Sequence, residues 1–407
     1  MLQEFQMQNK IKKIFGLSSE SEVVASRVNG LDTLRSIAIL FVFMYHYQVF
    51  VSHEATFGWA STVGWVGVDL FFVLSGYLIG NQIFSGISKG QQLSIKSFYM
   101  RRFLRTLPNY YFILALYFLF PAVMGGNEPP PLWKFVLFVQ NMWLTPGTAF
   151  SHAWSLCIEE QFYLLFPLVM VFGFRFARTV RNGWLFLLML VVIGIAVRSI
   201  LWLEYGLESN DINGYYPNVY YSSFCRFDEF LPGIAVAMLK NFHPTIWAAI
   251  IRKGVQTFLF GLLATALMLY GVNEYYYIDN YGYGYFMSGF GYSLLAIAFA
   301  ILVMSALSPA SILHRLRIPG AAALAAYSYA IYLSHKPLAF ILKGLLEPYK
   351  IASSMQVIII SMACVLAGWL MYRFIETPFM DYRAKRFPTS FKRPASDSMR
   401  NVSQPAS

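Results

Sequence analysis

Residues 31–46 read LDTLRSIAILFVFMYH, an apolar run that would fill most of a membrane-spanning helix, with an arginine near its start and a histidine at its end. Arg35 and His46 are eleven residues apart, so at about 100° per residue they return to nearly the same helix face, roughly 16 Å apart along the axis. An ionisable side chain inside a span is costly and needs a partner, an aqueous cavity or a function. The run therefore predicts a membrane helix with a polar stripe.

The rest of the chain has the composition of a polytopic membrane protein. Of its 407 residues, 57% are hydrophobic and 13% are charged, against about 25% charged in an average soluble domain. Several apolar runs reach the ~20 residues that a spanning helix needs. We therefore predict an all-α bundle of about ten transmembrane helices, at 35–53, 64–84, 107–124, 153–174, 184–204, 223–240, 255–272, 285–307, 321–342 and 353–375.

The distribution of lysine and arginine predicts the orientation of this bundle. If the N-terminus is cytoplasmic, the loops on that side carry 25 of the 31 basic residues, so the positive-inside bias favours both termini in the cytoplasm. A further span at 132–144 would reverse all later loops, so that stretch is predicted to be a short re-entrant or interfacial helix. The same bias accounts for the net charge of +11, and we expect no nucleic-acid partner.

The chain divides into one large domain and two short flanks. Residues 1–30 are predicted to form a cytoplasmic segment with a weak amphipathic pattern, and 31–380 the transmembrane domain. Residues 381–407 are predicted to form a cytoplasmic tail, which is rich in Ser, Pro and basic residues and is expected to be disordered.

Two neighbouring spans hold the first candidate catalytic residues. Histidine is suited to general-base chemistry near neutral pH, which makes His46 a candidate base; the alternative is a structural histidine bonded to another helix. Asp69 is predicted to pair with His46 or with Arg226, or to cap the start of its helix. Gly76 would let a neighbouring helix or a slender substrate approach closely.

Later spans carry further buried polar groups. Glu159 and Glu160 are adjacent on a helix and point about 100° apart, so at most one is expected to face the bundle interior, with both near the outer surface. Glu160 is the candidate that would assist the base. Arg226 and Glu229, at i and i+3, fit a structural ion pair, and His335 adds a second imidazole near the outer side.

The first cytoplasmic loop contains FYMRRFLRTLP (98–108), with three arginines within one and a half turns. Charge bias explains some of them, while the planar guanidinium of Arg101, Arg102 and Arg105 also suits two-point binding of phosphates. The three cysteines lack the Cys/His spacing of a metal site, so no metal is expected. Tyrosines cluster at 215–221 and 275–285, which fits either an interfacial aromatic belt or a stacking surface for sugar rings.

Taken together, these motifs resemble the acyltransferase 3 family. They lie in that family's order and cover most of the chain from 31 to 378, and the second and fourth are the most specific. The matching runs are LDTLRSIAILFVFMYH (31–46), GVDLFFVLSGYLIG (67–80), FYMRRFLRTLP (98–108), WSLCIEEQFYLLFP (154–167), CRFDEFLPG (225–233), YSYAIYLSHKP (327–337) and FIETP (374–378).

The resemblance implies an integral membrane O-acyltransferase that takes an acyl group, most often acetyl, from cytoplasmic acyl-CoA. The acceptor would be extracytoplasmic. The tyrosine-rich segments favour a hydroxyl of a carbohydrate, such as an envelope polysaccharide or lipopolysaccharide O-antigen, over the alternatives of a lipid-linked sugar, peptidoglycan or a small hydroxylated metabolite. Carried over to this chain, Arg35 and His46 are expected to be essential. Our own mechanistic hypothesis adds Asp69 or Glu160 as the residue that assists His46 in orientation or charge. Arg101, Arg102 and Arg105 are expected to bind the CoA phosphates.

The resemblance also implies a location, while the buried charges by themselves allow a rival function. We expect a multi-pass protein of the bacterial cytoplasmic membrane, in the standalone form without the extracytoplasmic hydrolase-like domain that some relatives carry. The rival function is a transporter of an anionic solute or glycan precursor, in which the buried charges would form a binding site and proton relay.

Overall fold

The computed structural model describes residues 28–125, 129–176, 179–207 and 212–392, without the side chains of 171–176. Within these ranges the chain is an all-α membrane protein built from ten helices of at least 12 residues. They are α1 (Asn29–Tyr47), α2 (Gly67–Ile87), α3 (Ile95–Leu119), α4 (Trp154–Phe176), α5 (Val180–Tyr205), α6 (Leu231–Phe242), α7 (Gly254–Tyr275), α8 (Tyr292–Leu307), α9 (Ala321–Leu346) and α10 (Ser353–Met371).

Shorter elements extend or connect these helices. Three π-helical turns continue or precede long helices, at Gln48–Ser52, Met287–Gly291 and Tyr372–Glu376, and a fourth, Tyr216–Tyr220, lies between two short helices. The short α-helices are Trp59–Val63, Leu132–Val136, Ile212–Tyr215, Ser223–Arg226, Pro244–Arg252, Ile312–Arg315 and Thr377–Arg386, and the 3-10 turns are Gly64–Val66, Ser151–Ala153, Phe227–Phe230 and Glu347–Tyr349. One two-stranded antiparallel ribbon, β1 (Tyr277–Ile278) with β2 (Gly282–Tyr283), is an exception to the all-α prediction.

Each of the ten predicted spans overlaps one of the helices α1 to α10, but fewer satisfy a spanning criterion by themselves. Among the described residues, six helices are long and apolar enough to cross a membrane, or seven if the pair bent by 109° between α6 and Pro244–Arg252 counts as one span. The predicted spans in α3, α4 and α9 are not in that group. The arginines of α3 and the histidine and lysines of α9 lower the hydropathy of those two helices.

Helix α2 lies at the centre of the bundle. Its spanning window is 89% buried, whereas those of α5 and α7 are each 17% buried, so the latter two are peripheral helices with faces available to lipid. Close contact between α2 and α6 depends on glycine, as the sequence predicted for Gly76: a Cβ there would lie 2.1 Å from the carbonyl oxygen of Phe230. Gly233 makes the reciprocal approach to the Val73 carbonyl.

The flanking segments differ from prediction where they are described. The stretch 132–144 is helical only at Leu132–Val136. The tail predicted to be disordered from 381 is ordered as far as 392: the helix Thr377–Arg386 runs into it, and Phe391 forms a β-bridge with Leu93. Residues 1–27 and 393–407, which include the proposed amphipathic segment, lie outside the described residues.

Candidate active site

Two imidazoles meet at one end of α1. His46, the last residue but one of α1, stacks on His335 of α9 with ring centroids 4.9 Å apart and an interplanar angle of 19°. The Nδ1 of His46 lies 2.6 Å from the Nε2 of His335. Residues 289 positions apart are thus brought into direct contact by the packing of α1 against α9.

The backbone of α9 fixes which nitrogen of His46 is free. His335 Nδ1 lies 3.0 Å from the carbonyl oxygen of Ile331 and 2.8 Å from that of Tyr332. Carbonyl oxygens only accept hydrogen bonds, so this Nδ1 carries a proton. In neutral His335 the Nε2 is then an acceptor, and His46 Nδ1 must donate to it. The lone pair of His46 is therefore on Nε2, the position from which an imidazole can take a proton.

A third imidazole completes the cluster. The ring of His152 lies 6.3 Å from that of His46 and 5.6 Å from that of His335. Its Nε2 lies 3.2 Å from the carbonyl oxygen of Leu333, which makes Nε2 the protonated nitrogen. Its Nδ1 is buried without a hydrogen-bond partner among the described residues. We call His46, His152 and His335 the histidine cluster; across the described ranges no His/Cys/Asp/Glu group is arranged to hold a metal ion.

A second polar group lies eleven residues earlier on α1. Arg35 is close enough to Arg105 and Glu159 to interact with both electrostatically. Ser75 and Tyr163 both donate hydrogen bonds to one oxygen of Glu159. This arrangement joins α1, α2, α3 and α4, and it lies roughly 16 Å along α1 from the histidine cluster.

Further charges surround this group. The guanidinium of Arg102 lies over the ring of Tyr163 at 4.9 Å. Glu160 is 3% exposed and interacts electrostatically with Arg102, although its Oε2 has no hydrogen-bond partner among the described residues. Glu376 accepts a hydrogen bond from Asn109 at 3.1 Å and interacts with Arg105, Arg35 and Arg383. We call the set of Arg35, Arg102, Arg105, Arg383, Glu159, Glu160 and Glu376 the arginine–carboxylate group.

The three arginines of the loop motif separate in the structure. Arg102 and Arg105 face the carboxylates, whereas Arg101 donates a hydrogen bond to the backbone carbonyl of Phe387. Arg101 therefore also holds the segment that follows the helix Thr377–Arg386. The two carboxylates of α4 were expected near the outer surface, but they lie beside these arginines.

Asp69 takes one of its predicted alternatives. It pairs with Arg226, at 3.1 Å, while Glu229 pairs with the same guanidinium, as the i, i+3 spacing predicted. All three side chains are fully buried. In the described part of the chain neither Asp69 nor Glu160 contacts His46; the group that does is His335.

The tyrosine-rich segments are only partly at the surface. Tyr215 and Tyr283 stack with their ring centroids 3.5 Å apart, and both are buried. Tyr220 packs against Trp154 and over Arg226, and burial raises the pKa of Tyr220 well above its ordinary value, so the phenol stays neutral. These three tyrosines belong to an aromatic core. Other tyrosines of the cluster at 275–285 are exposed, and for them the interfacial belt and the sugar-stacking surface stay predictions.

Sequence reasoning missed four residues that the structure places in buried polar groups. His152 lies just before the fourth motif (154–167), Arg383 in the predicted tail, Lys336 in the sixth motif and Arg198 in the fifth predicted span, and none of them was given a role. Arg198 forms two hydrogen bonds with Asp228, with both side chains fully buried. Their position inside or beside apolar helices could have identified them from the sequence, because an isolated charge there is costly and needs a partner.

Comparison with known proteins identifies the family to which the chain is similar. A family model described as an acyltransferase domain matches residues 28–373. The peptidoglycan O-acetyltransferase OatA of Listeria monocytogenes is 30% identical over 376 residues, which cover 86% of this chain and 55% of that protein. The O-acetyltransferase OatA of Staphylococcus aureus is 26% identical over 381 residues, covering 88% of this chain and 58% of that protein.

The chain thus spans little more than half the length of these curated relatives. No solved structure matches.

Proposed function

The chain belongs to the acyltransferase 3 family, and from that membership we propose that it is a membrane O-acyltransferase that moves an acetyl group from cytoplasmic acetyl-CoA to a hydroxyl on an extracytoplasmic carbohydrate. The observation that carries the proposal is the pairing of His46 with His335, which leaves the Nε2 of His46 free to act as a base. The arginine–carboxylate group lies at the other end of the polar stripe of α1.

The proposed topology has ten spans and both termini in the cytoplasm. It rests on the lysine and arginine bias and on the overlap of every predicted span with one of α1 to α10. In this orientation the arginine–carboxylate group faces the cytoplasm and the histidine cluster lies toward the outer side. We place the protein in the bacterial cytoplasmic membrane, where a cytoplasmic donor and an outer acceptor can both reach it.

The donor would bind at the arginine–carboxylate group. Arg102 and Arg105, with Arg101 beside them, would hold the phosphates of acyl-CoA through charge-assisted hydrogen bonds. Arg35 would contact the acyl-CoA donor at the cytoplasmic end of the polar stripe of α1. Glu159 and Glu160 would balance the arginine charges while the site is empty, which keeps several like charges together in one buried group.

The chemical step would take place at His46. Its Nε2 takes the proton of the acceptor hydroxyl while the hydroxyl oxygen attacks the thioester carbonyl; the C–S bond breaks, and CoA leaves as a thiolate that takes up the proton. His335 holds the required tautomer of His46. Asp69 would act at a distance as a positioning residue, by anchoring Arg226 between α2 and the helix that precedes α6.

The proposed acceptor is a glycan of the cell envelope. The support is the similarity to a protein named peptidoglycan O-acetyltransferase, so peptidoglycan is the first acceptor to test, followed by other envelope polysaccharides, including O-antigen. The transporter alternative draws on the same buried charges. In the described structure the two most deeply buried arginines, Arg198 and Arg226, are neutralised within the protein, which gives them structural partners in place of a solute.

The test is the O-acetyl ester content of envelope glycans, measured by NMR and mass spectrometry, in cells that lack the protein and in cells that express it at equal membrane abundance. Esters should appear with the unmodified protein and be absent with His46→Ala. A matched control is His53→Ala, since His53 is exposed and lies seven residues further on, outside the histidine cluster. Equal ester content in all four strains, together with no acetyl-CoA turnover by the purified protein, would refute the proposal.

A further inference from the structure

A cavity beside the histidine cluster has no role in the mechanism described so far. It has a volume of about 130 Å³ and lies between the π-helical turn Gln48–Ser52, the loop at 147–150 and α9. Four of the residues that line it are aromatic, and among the described residues its only charged lining side chain is a lysine. The residues that matter here are Phe50, Tyr117, Phe150, Phe340 and Lys336.

This cavity adjoins the proposed base. The ring of Phe50 lies 5.5 Å from that of His46, and Tyr117 lies 6.5 Å from His152, so two of the lining residues also touch the histidine cluster. Lys336 directly follows His335 in α9 and is close enough to His46 and His152 to interact with both electrostatically. No histidine of the cluster lines the cavity itself, so a molecule in it would lie beside the cluster, with Phe50 and Lys336 between it and His46.

Lys336 has no counter-charge in the described structure. Its ammonium donates to the hydroxyl of Ser151 at 3.0 Å and lies over the ring of Phe50 at 4.4 Å. No carboxylate forms an ion pair with it among the described residues. By contrast, the buried Arg198 and Arg226 each have carboxylate partners. A partly buried ammonium without a carboxylate partner is costly unless water or an anion completes its coordination.

Resting on the proposed O-acyl transfer, we propose that this cavity is the acceptor subsite and that it takes a sugar with a carboxylate, which pairs with Lys336. The aromatic rings would pack against the C–H faces of the sugar. The carboxylate would replace water at the ammonium in a charge-assisted contact. An acidic sugar is thereby favoured over a neutral one, and its hydroxyl is presented to His46.

The first experiment measures equilibrium binding to the full chain in lipid nanodiscs, without acetyl-CoA. The probes are two carboxylated sugars, N-acetylmuramic acid and methyl glucuronide, each compared with its own methyl ester. The unmodified protein should bind at least one free acid about tenfold or more tightly than its ester. Lys336→Met should abolish this preference, and Lys336→Arg should keep most of it, since arginine retains the charge.

A matched control is Lys343→Met. Lys343 lies two turns further along the same helix, where it is hydrogen-bonded to His53 at an exposed site, so its loss should leave the acid preference unchanged. Equal binding of acid and ester by the unmodified protein, binding of neither, or an unaltered preference in Lys336→Met would each overturn the proposal.

A second measurement separates the subsite from the proposed function. His46→Ala should keep the preference for the free acid in the binding experiment and lose acetyl transfer from acetyl-CoA. Acid preference that depends on Lys336, with no transfer by the unmodified protein, would support the subsite and refute the acyltransferase function. Acetyl transfer that depends on His46, but is equal for the free acid and its ester and unchanged in Lys336→Met, would support the acyltransferase function and refute the subsite.

Discussion

Replacing His335 tests the tautomer assignment most directly. In His335→Leu the hydrogen bond to His46 is lost, and no acceptor faces the Nδ1 of His46. The His46 ring is then free to rotate and to carry its proton on Nε2, and a protonated Nε2 cannot act as a base. A hydrogen bond between neutral side chains contributes about 1 kcal/mol, and the penalty for the unproductive tautomer adds to it. We therefore expect kcat to fall about 10- to 30-fold, with the KM for acetyl-CoA unchanged.

His335→Gln supplies the matched variant. The side-chain oxygen of glutamine reaches close to the position of the histidine Nε2 and can accept the same hydrogen bond, so we expect kcat within about threefold of the unmodified protein. His46→Ala sets the lower limit, a loss of about 10²- to 10⁴-fold, as expected for removal of a general base. The predicted order of activity is therefore His335→Gln, then His335→Leu, then His46→Ala.

Two readouts check this order: initial rates of ester formation in purified protein, and ¹⁵N NMR of histidine-labelled protein, with the His46 signal assigned from His46→Ala. The unmodified protein and His335→Gln should show His46 protonated at Nδ1, and His335→Leu should show a mixture of tautomers. The reasoning fails if His335→Leu retains full kcat. It also fails if His335→Gln loses as much activity as His335→Leu while its His46 remains protonated at Nδ1.

Three further predictions concern packing, buried charge and the donor site. Gly76→Ala should lower stability by about 1–3 kcal/mol because its Cβ would meet a backbone carbonyl at 2.1 Å, whereas Gly344→Ala, with open space around it, should not; unfolding midpoints in detergent compare them. Asp228→Asn should cost about 3–5 kcal/mol by leaving Arg198 without its carboxylate, measured as the yield of folded protein. Arg105→Gln should raise the KM for acetyl-CoA about tenfold, with kcat little changed, in steady-state assays.

The helices were predictable because hydrophobic length is a local property of the sequence. All ten predicted spans overlap helices, and the polar stripe of α1 links the two polar groups as the spacing of Arg35 and His46 implied. The close approach at Gly76 was also predictable, since a small residue in an apolar helix indicates a packing contact. The local sequence pattern did not determine which partner each polar residue would have.

The partner of each polar residue depends on which distant segments pack together, and this packing selected among the partners that the sequence had left open. Asp69 could pair with His46 or with Arg226 as far as its own helix was concerned; the packing of α2 against α6 brings it to Arg226. His46 was expected to be assisted by a carboxylate, but the packing of α1 against α9 supplies His335. The ordered segment 381–392 escaped prediction for the same reason, because its contact with Arg101 and Leu93 is tertiary.

The buried polar groups in the described part of the chain differ in whether the protein itself supplies a charged or hydrogen-bonding partner. Arg198 and Arg226 have carboxylate partners inside the protein, so their burial is compensated and they hold helices together. Among the described residues the Nδ1 of His152 and the Oε2 of Glu160 have no hydrogen-bond partner, and the ammonium of Lys336 has no carboxylate partner. A group left uncompensated in an apolar interior costs free energy in the empty protein. These three groups lie in the histidine cluster, in the arginine–carboxylate group and in the cavity between Phe50 and α9, which are the three places where acceptor and donor are proposed to bind.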